Sequence, residues 1–443
     1  MPELTVALVN LGCPKNLVDA ERILGVFAER GWVICSEPAQ ASLVLVNTCG
    51  FIEAAREESL NALLETVSLK NSGIVHAVVA IGCLIERYRD ELAVQIPAVD
   101  AWVGLVEPCA LERFCRNLLQ GHTLPECLLP HKDPRTAELA RLRLTPRSHA
   151  WLRIAEGCDN RCHYCVIPSI RGPYVSKPME SILAEARELA ADGAVELNLM
   201  AQDTTRYGTD LYGRPMLARL IRELARVEQV RWIRLLYTHP AHFDESLVEV
   251  LATEPKMCHY VDVPIQHIND TILERMGRKV SRAQIERLIE RLRSAVPDIA
   301  LRTSIIVGFP GETEAQFKEL LAFVRQARFD RLGAFAYSRE EGTPASLYPD
   351  QHSREEKERR LRTLMDLQKE ISLEVNRGRI GCKLAMLVEG RTSASRWKGR
   401  TQYDAPEIDG LLFVKAAALV PHQFCAVNVT ATRGYYDLEG VLA

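Results

Sequence analysis

The chain has 443 residues, 47% of them hydrophobic and 26% charged, which supports roughly two to four domains with ordinary cores. A net charge of −3 excludes a strongly basic nucleic-acid binder, and no run approaches the roughly 18 apolar residues of a membrane span. The amino terminus, MPELTVALVNLGCPKN, lacks the basic region and apolar core of a signal peptide. A cytoplasmic protein is therefore expected, in which thirteen cysteines point to metal rather than to disulfides.

Residues 1–120 alternate short apolar runs with helical patterns. Leu4–Val9, Leu43–Val46 and Val75–Ile81 read as buried strands, each followed by a helix-forming stretch, the pattern of a small α/β domain with a parallel sheet. This region carries 15 acidic against 9 basic residues, a poor surface for phosphate. Residues 121–150 hold four prolines and no clear period, and read as a linker with room for a hairpin.

From Trp151 the alternation resumes. Strands are expected at Trp151–Ala155, Ala194–Met200, Arg231–Leu236, Tyr260–Ile265, Ile299–Val307 and Leu332–Tyr337. Helical patterns intervene at about 178–192, 214–228, 243–253, 281–295 and 313–328. Six βα units predict an incomplete parallel barrel, a partial (β/α)6. Residues 353–377 form an amphipathic helix, with Leu361, Leu364, Met365, Ile371 and Val375 near helical spacing. Beyond it, β-like runs at Leu384–Val388, Leu411–Val414 and Cys425–Ala431 are divided by glycine turns and predict a small all-β barrel. The expected domains are 1–120, 151–377 and 378–443, with 121–150 as linker.

The strongest local signal is Glu156-Gly-Cys158-Asp-Asn-Arg-Cys162-His-Tyr-Cys165, a CxxxCxxC loop directly after the first barrel strand. That is the carboxyl edge where barrel active sites collect. Three soft thiolates on one short loop suit three irons of a 4Fe–4S cube and leave the fourth iron open. A zinc site is the alternative, but zinc favours paired CxxC elements and a fourth protein ligand. His163, the candidate for that ligand, lies inside the loop between two cysteines.

The spacing, with Tyr164 just before the last cysteine, resembles the radical S-adenosylmethionine superfamily. The resemblance implies that the open iron binds S-adenosylmethionine through its amino and carboxylate groups, and that reduction yields a 5′-deoxyadenosyl radical. It places Tyr164 near the adenine and Gln202, in Asn198–Asp203, by the methionine end. Gln266 and Arg278 would lie by the ribose and carboxylate. Gly308, in Ile305–Glu312, would let backbone approach the adenine. Each also has a plainer reading as strand-end packing or a turn. His239 and His267 read as histidines hydrogen-bonded at strand ends.

Cys13, Cys49 and Cys83 lie far apart in sequence, yet each follows a predicted parallel strand in a like context: Leu11-Gly-Cys13, Asn47-Thr-Cys49-Gly and Ile81-Gly-Cys83. Ligands of open parallel sheets bind at the carboxyl ends of strands, so the three thiols can converge on one metal centre. Buried cysteine as a small hydrophobe is the competing reading. The region also resembles the amino-terminal domain of the methylthiotransferases. That resemblance implies that these three cysteines hold an auxiliary 4Fe–4S cluster whose open iron carries the inserted sulfur. Cys35, Cys109, Cys115, Cys127, Cys258, Cys382 and Cys425 have no such placement and read as structural or incidental.

The carboxyl-terminal β region resembles the TRAM module, so the likeness covers nearly the whole chain. One methylthiotransferase branch modifies an adenosine in tRNA beside the anticodon. The other modifies an aspartate of small-subunit ribosomal protein twelve. Asn10-Leu-Gly-Cys13-Pro-Lys-Asn16, Ala201-Gln-Asp-Thr204, Tyr403-Asp-Ala-Pro-Glu-Ile-Asp-Gly410 and Tyr436-Asp-Leu438 resemble the second branch. Asp404, Glu407 and Asp409 repel phosphate and can meet a basic protein loop, or simply solvate a turn. Arg391, Arg396, Lys398 and Arg400, with Trp397 among them, form a run that can contact RNA instead.

The ribosomal branch implies transfer of a methylthio group to the β-carbon of the target aspartate, with a second S-adenosylmethionine as methyl source. The substrate would be ribosomal protein twelve, free or in the ribosome. A flavodoxin-type electron donor, two 4Fe–4S clusters, no membrane partner and a monomer are the accompanying expectations. A tRNA methylthiotransferase and a non-enzymatic iron–sulfur protein that binds RNA or ribosomes are the alternatives.

Overall fold

The computed structural model describes residues 4–122, 133–135 and 140–443. The chain divides into two compact units. One comprises Met1–Leu144, Ala155–Asn160 and Cys165–Glu185, the other Thr145–Ile154, Arg161–Tyr164 and Ala186–Ala443.

In the first unit, β1 (Thr5–Asn10), β2 (Val33–Ile34), β3 (Leu43–Thr48), β4 (Ala77–Gly82) and β5 (Ala101–Val103) form one parallel sheet in the order β2-β1-β3-β4-β5. Every residue of β3 and β4 is buried. Parallel strands covered on both faces read as continuous apolar runs, which is why these two are plain in the sequence. Val44, Val46, Val78 and Ala80 face one apolar cluster with Leu63, Leu84 and Trp102. Leu43, Leu45, Val79 and Ile81 face the other, with Phe27, Trp32 and Phe114. β2 and β5, at two and three residues, are too short to carry a period and fall outside the expected strands.

The hairpin allowed for in 121–150 falls largely outside the described residues. The end of that segment is strapped to helix Pro14–Glu29: Arg141 is enclosed between Glu21 and Glu185, and the Leu142 amide donates to the Glu21 carbonyl at 2.9 Å. Gly25 on that helix has the Ala140 carbonyl where a Cβ would stand.

β6 (His149–Arg153) belongs to the second unit, while β7 (Ala155–Glu156) and β8 (Val175–Ser176) pair as a short antiparallel ribbon in the first. In the second unit β6 joins β9 (Glu196–Met200), β10 (Trp232–Leu235), β11 (Met257–Asp262), β12 (Ala300–Val307) and β13 (Arg331–Ala336). They form a six-stranded parallel sheet in the order β13-β12-β11-β10-β9-β6, the partial barrel expected. β11 begins and ends three residues before the expected Tyr260–Ile265. The apolar run continues through Val263 and Ile265, but Pro264 has no amide to give to the ladder. Helices Arg282–Ala295 and Glu314–Ala327 each open with a capping box, Ser281 with Gln284 and Thr313 with Gln316.

The same unit carries a closed five-stranded barrel. Its strands are β14 (Lys383–Ser393), β15 (Arg396–Arg400), β16 (Leu412–Lys415), β17 (Phe424–Arg433) and β18 (Asp437–Leu442), closed in the order β14-β15-β16-β18-β17. Met386, Val388, Trp397, Leu412, Val427 and Leu438 fill it.

The acidic stretch between β15 and β16 neither meets a partner nor solvates a turn, apart from exposed Glu407. It is buried against the amino-terminal edge of the six-stranded sheet. Asp404 pairs with Arg331, the first residue of β13, and Asp409 accepts from the Tyr260 hydroxyl at 2.7 Å. Arg400, expected as part of a basic run for RNA, is likewise enclosed: it donates to Glu196, the first residue of β9, at 2.7 Å. Arg234 adds 2.8 Å bonds to Glu196 and to the Gln402 carbonyl. Burial opposes ionisation of Glu196, but Arg400 and Arg234 outweigh it and hold its carboxyl down at about 2. These charges fix the small barrel to the sheet. Replacing Asp404 by Ala leaves Arg331 buried without its carboxylate and should cost about 3–5 kcal/mol, seen as a lower urea midpoint in circular dichroism.

Candidate functional site

Parallel strands deliver the chain to one edge of a sheet, and in the first unit each of three strands ends at a cysteine. Cys13 caps helix Pro14–Glu29 after β1, Cys49 follows β3, and Cys83 opens helix Cys83–Gln95 after β4. Helix amino termini favour thiolate over thiol. The glycines beside these cysteines are there because the turns touch. A Cβ on Gly12, at φ +90°, would stand 2.7 Å from Cys49 Cβ; one on Gly50 would stand 2.7 Å from Leu84 Cα; one on Gly82, at φ +97°, would meet the Thr48 carbonyl at 2.7 Å.

The three thiols are electrostatic neighbours. Burial pushes Cys83 up to about 12, Arg171 opposes this, and Cys13 and Cys49 add to it. Burial and then Cys13 raise Cys49, against a backbone bond from Phe51. The buried thiols of Cys49 and Cys83 resist ionisation unless a metal takes the place of their protons, and Cys13 is half-buried. With no carboxylate among them, the donors are soft, and the set fits an iron–sulfur cluster.

Two polar side chains organise this edge. Asn16 Nδ2 donates to the carbonyls of Leu11 and Thr48, both at 3.0 Å, and its Oδ1 lies 3.4 Å from Cys83 Sγ. It thereby touches all three cysteine-bearing turns. Arg171, from helix Ile167–Arg171, donates to Asn16 Oδ1 at 2.7 Å and to Cys83 Sγ at 3.2 Å. Asn16 stands in the phrase read for its likeness; Arg171 carries no sequence signal.

Of the CxxxCxxC loop, Cys158 and Cys165 belong to the first unit and Cys162 to the second. The Cys158 amide donates to the Gly172 carbonyl at 3.1 Å. Gly157, at φ +73°, has the Pro173 carbonyl where a Cβ would stand. In the second unit Arg278 is buried, with Nη1 at 3.9 Å from Cys162 Sγ and Nη2 on the Pro264 carbonyl. Burial disfavours its charge, but Tyr164 and Cys162 favour it more. Tyr164 packs on a cluster of Ile272, Met276, Phe309 and Tyr337. His163 Nδ1 bonds the Tyr348 hydroxyl and the Arg275 carbonyl at 3.0 Å, so it is committed within its own unit.

Gln266, at φ +70°, bridges to Ile305 and carries the β11 segment across to β12 beyond Pro264. Gln202 is half-buried in the turn after β9. Gly308 packs against helix Arg354–Arg377. At φ +68° its open side is filled by Lys357 Cγ, 2.5 Å from where a Cβ would be, and its amide donates to Glu312. The structure thus brings Cys162, Tyr164 and Arg278 together and leaves Gly308 against helix Arg354–Arg377.

His239 accepts from the Ala241 amide and His267 from the Asn269 amide, the strand-end role expected of both. His239 also lies with Asp203 and His242 in a group whose ligand atoms fall within 4.8 Å of one another. Burial, then the charge of Arg278, pushes His239 down to about 2, so it stays a neutral imidazole. The signal for this group was the pair of turns Ala201-Gln-Asp and His239-Pro-Ala-His, which sequence reading left unconnected.

Family models match three stretches: Uncharacterized protein family UPF0004 at residues 5–104, the Radical SAM superfamily at 152–324 and the TRAM domain at 380–442. The ribosomal protein uS12 methylthiotransferase RimO of Geobacter sulfurreducens is 46% identical over 98% of both chains. That of Desulforudis audaxviator is 46% identical over 98% of this chain and 96% of its own. The chain belongs to the RimO family. Among solved structures, the radical S-adenosylmethionine methyltransferase TsrM from Kitasatospora setae matches with a TM-score of 0.57 at 16% identity, covering 89% of this chain and 80% of that one. The cobalamin-dependent radical enzyme OxsB matches at 0.54 and 14% identity, covering 83% and 56%. Both likenesses concern the fold alone.

Membership of the RimO family makes the chain a radical S-adenosylmethionine methylthiotransferase and implies a 4Fe–4S cluster with S-adenosylmethionine. No helix among the described residues is long and apolar enough to cross a membrane. The remaining described cysteines fit a structural role where they are enclosed: burial pushes Cys258 up to about 12 and Cys115 higher still. Cys127 lies outside the described residues. In metal-free protein near neutral pH, exposed Cys382 should alkylate fast while Cys83, Cys115 and Cys258 react only after unfolding, as peptide mass spectrometry would record.

Proposed function

We propose that this chain methylthiolates ribosomal protein uS12 at the β-carbon of one aspartate, using two 4Fe–4S clusters in a cytoplasmic setting. The observation that carries the reading is identity of 46% to a RimO methylthiotransferase along 98% of both chains, with all three family stretches in order. A tRNA substrate has no comparable support: Arg400 of the basic run is buried in an ion pair, and Arg396 pairs with Glu439.

In this reading Cys158, Cys162 and Cys165 hold the radical cluster, and Cys13, Cys49 and Cys83 hold the auxiliary one. When bound, these groups supply one-electron reduction of S-adenosylmethionine and the sulfur to be inserted, chemistry that no side chain offers at an unactivated C–H bond. The protein's part is to bind, orient and keep water away. Arg278 is a fixed buried cation beside Cys162, suited to the carboxylate of S-adenosylmethionine. Tyr164 presents an aromatic face anchored on an apolar cluster, and Gln202 and Gln266 offer amides from the segments that follow β9 and β11. His239 stays neutral and adds no charge there. Gly308 gives room to Lys357, so any approach of the cofactor to that turn is through backbone on its other side. The electrons are expected from a flavodoxin-type donor. The domains follow as 1–120 for the auxiliary centre, 151–377 for the radical centre and 378–443 for the TRAM barrel.

Protein reconstituted anaerobically with iron and sulfide should, with S-adenosylmethionine, reductant and purified uS12, add about 46 Da to one aspartate, the mass of a methylthio group in place of hydrogen. No such gain, with 5′-deoxyadenosine still formed, would move the search to another substrate. Cys162→Ala should abolish 5′-deoxyadenosine formation. Cys49→Ala should keep that cleavage yet yield no methylthio product; unchanged product would remove Cys49 from the sulfur-delivering centre.

A further inference from the structure

Arg171 ends a five-residue helix that begins two residues after Cys165, and its guanidinium is wholly buried in the first unit. A buried guanidinium needs its donors and its charge satisfied. Here each arm serves a different segment. Nη1 donates to Asp19 at 3.1 Å and to Glu156 at 2.9 Å; Nη2 donates to Asn16 at 2.7 Å and to Cys83 Sγ at 3.2 Å. Asp19 and Asn16 ride on the helix that Cys13 caps. Glu156 precedes Cys158 by two residues, and Arg171 follows Cys165 by six.

The two carboxylates satisfy one arm and fix the side chain's rotamer. The other arm points at sulfur, a weak acceptor unless it is a thiolate. A buried cation on that sulfur therefore fits the ionised, metal-bound form of Cys83. Hydrogen bonds to cluster sulfurs, local charge and burial set the potential of an iron–sulfur centre. We infer that Arg171 is a positioning residue for the Cys13–Cys49–Cys83 centre: it raises that centre's reduction potential through Cys83, and it ties the centre to the chain on both flanks of the CxxxCxxC loop. Asn16 is the intermediary, because the same oxygen that takes Arg171 lies against Cys83 while its amide holds the turns of Cys13 and Cys49. The inference rests on the reading of those three cysteines as cluster ligands.

The test uses full-length protein carrying Cys158→Ala, Cys162→Ala and Cys165→Ala, reconstituted with iron and sulfide, so that redox titration and electron paramagnetic resonance report the auxiliary centre alone. Arg171→Gln in that background should lower the midpoint. At the parent's midpoint the reduced-to-oxidised ratio should fall about tenfold, equivalent to about 59 mV for one electron, with a changed resonance spectrum. Arg171→Lys, which keeps the charge but loses the fork, should restore most of the midpoint. Should Arg171→Gln fail to fold with Glu156 left facing it, Arg171→Gln with Glu156→Gln is read in its place, with the same expected fall. A midpoint and spectrum equal to the parent's in the glutamine variant would overturn the role of Arg171. A parent that binds no cluster would instead overturn the reading of the three cysteines.

Discussion

Parallel pairing is the constraint on which the rest of this molecule depends. Strands that all run one way must each be left at the same edge, so every turn into the following helix opens on a shared crevice. Five strands in one unit and six in the other obey this rule. Residues more than thirty positions apart, such as Cys13, Cys49 and Cys83, become neighbours without any local motif. The crowding follows too: three turns meeting at one edge leave no space for side chains beside the cysteines, and Gly12, Gly50 and Gly82 answer that lack of space.

Charge is placed with equal economy. At the carboxyl edge of the first sheet one guanidinium and one carboxamide reach every cysteine-bearing turn. At the amino edge of the second sheet, Glu196, Arg234 and Arg331 meet Arg400 and Asp404 of the small barrel. Burial alone would neutralise such groups, and mutual pairing keeps them ionised. The two edges of parallel sheets thus do different work: one gathers soft donors, the other locks modules together.

How much of this was legible in the sequence follows from the range of each signal. β3 and β4 announce themselves because strands buried on both faces read as apolar runs, and the six strands of the second sheet by short apolar-rich runs between helical patterns. β2 and β5 are too short to show a period, and the end of β11 is obscured because Pro264 interrupts the ladder but not the apolar run. The CxxxCxxC loop is a local motif and could be read directly. The amino-terminal cysteines became readable only through their repeated strand-end context and a family resemblance. Asp404 and Asp409 misled because an acidic turn looks the same in sequence whether it faces water or buried arginines. Arg171 left no trace in the sequence, and Asp203, His239 and His242 were legible only as two unconnected turns, since pairing across a fold leaves no spacing to recognise.

The locked contact between the small barrel and the sheet has a mechanical result. A module held by several buried ion pairs cannot swing on a tether, so the barrel and the carboxyl edge of the sheet keep a set separation.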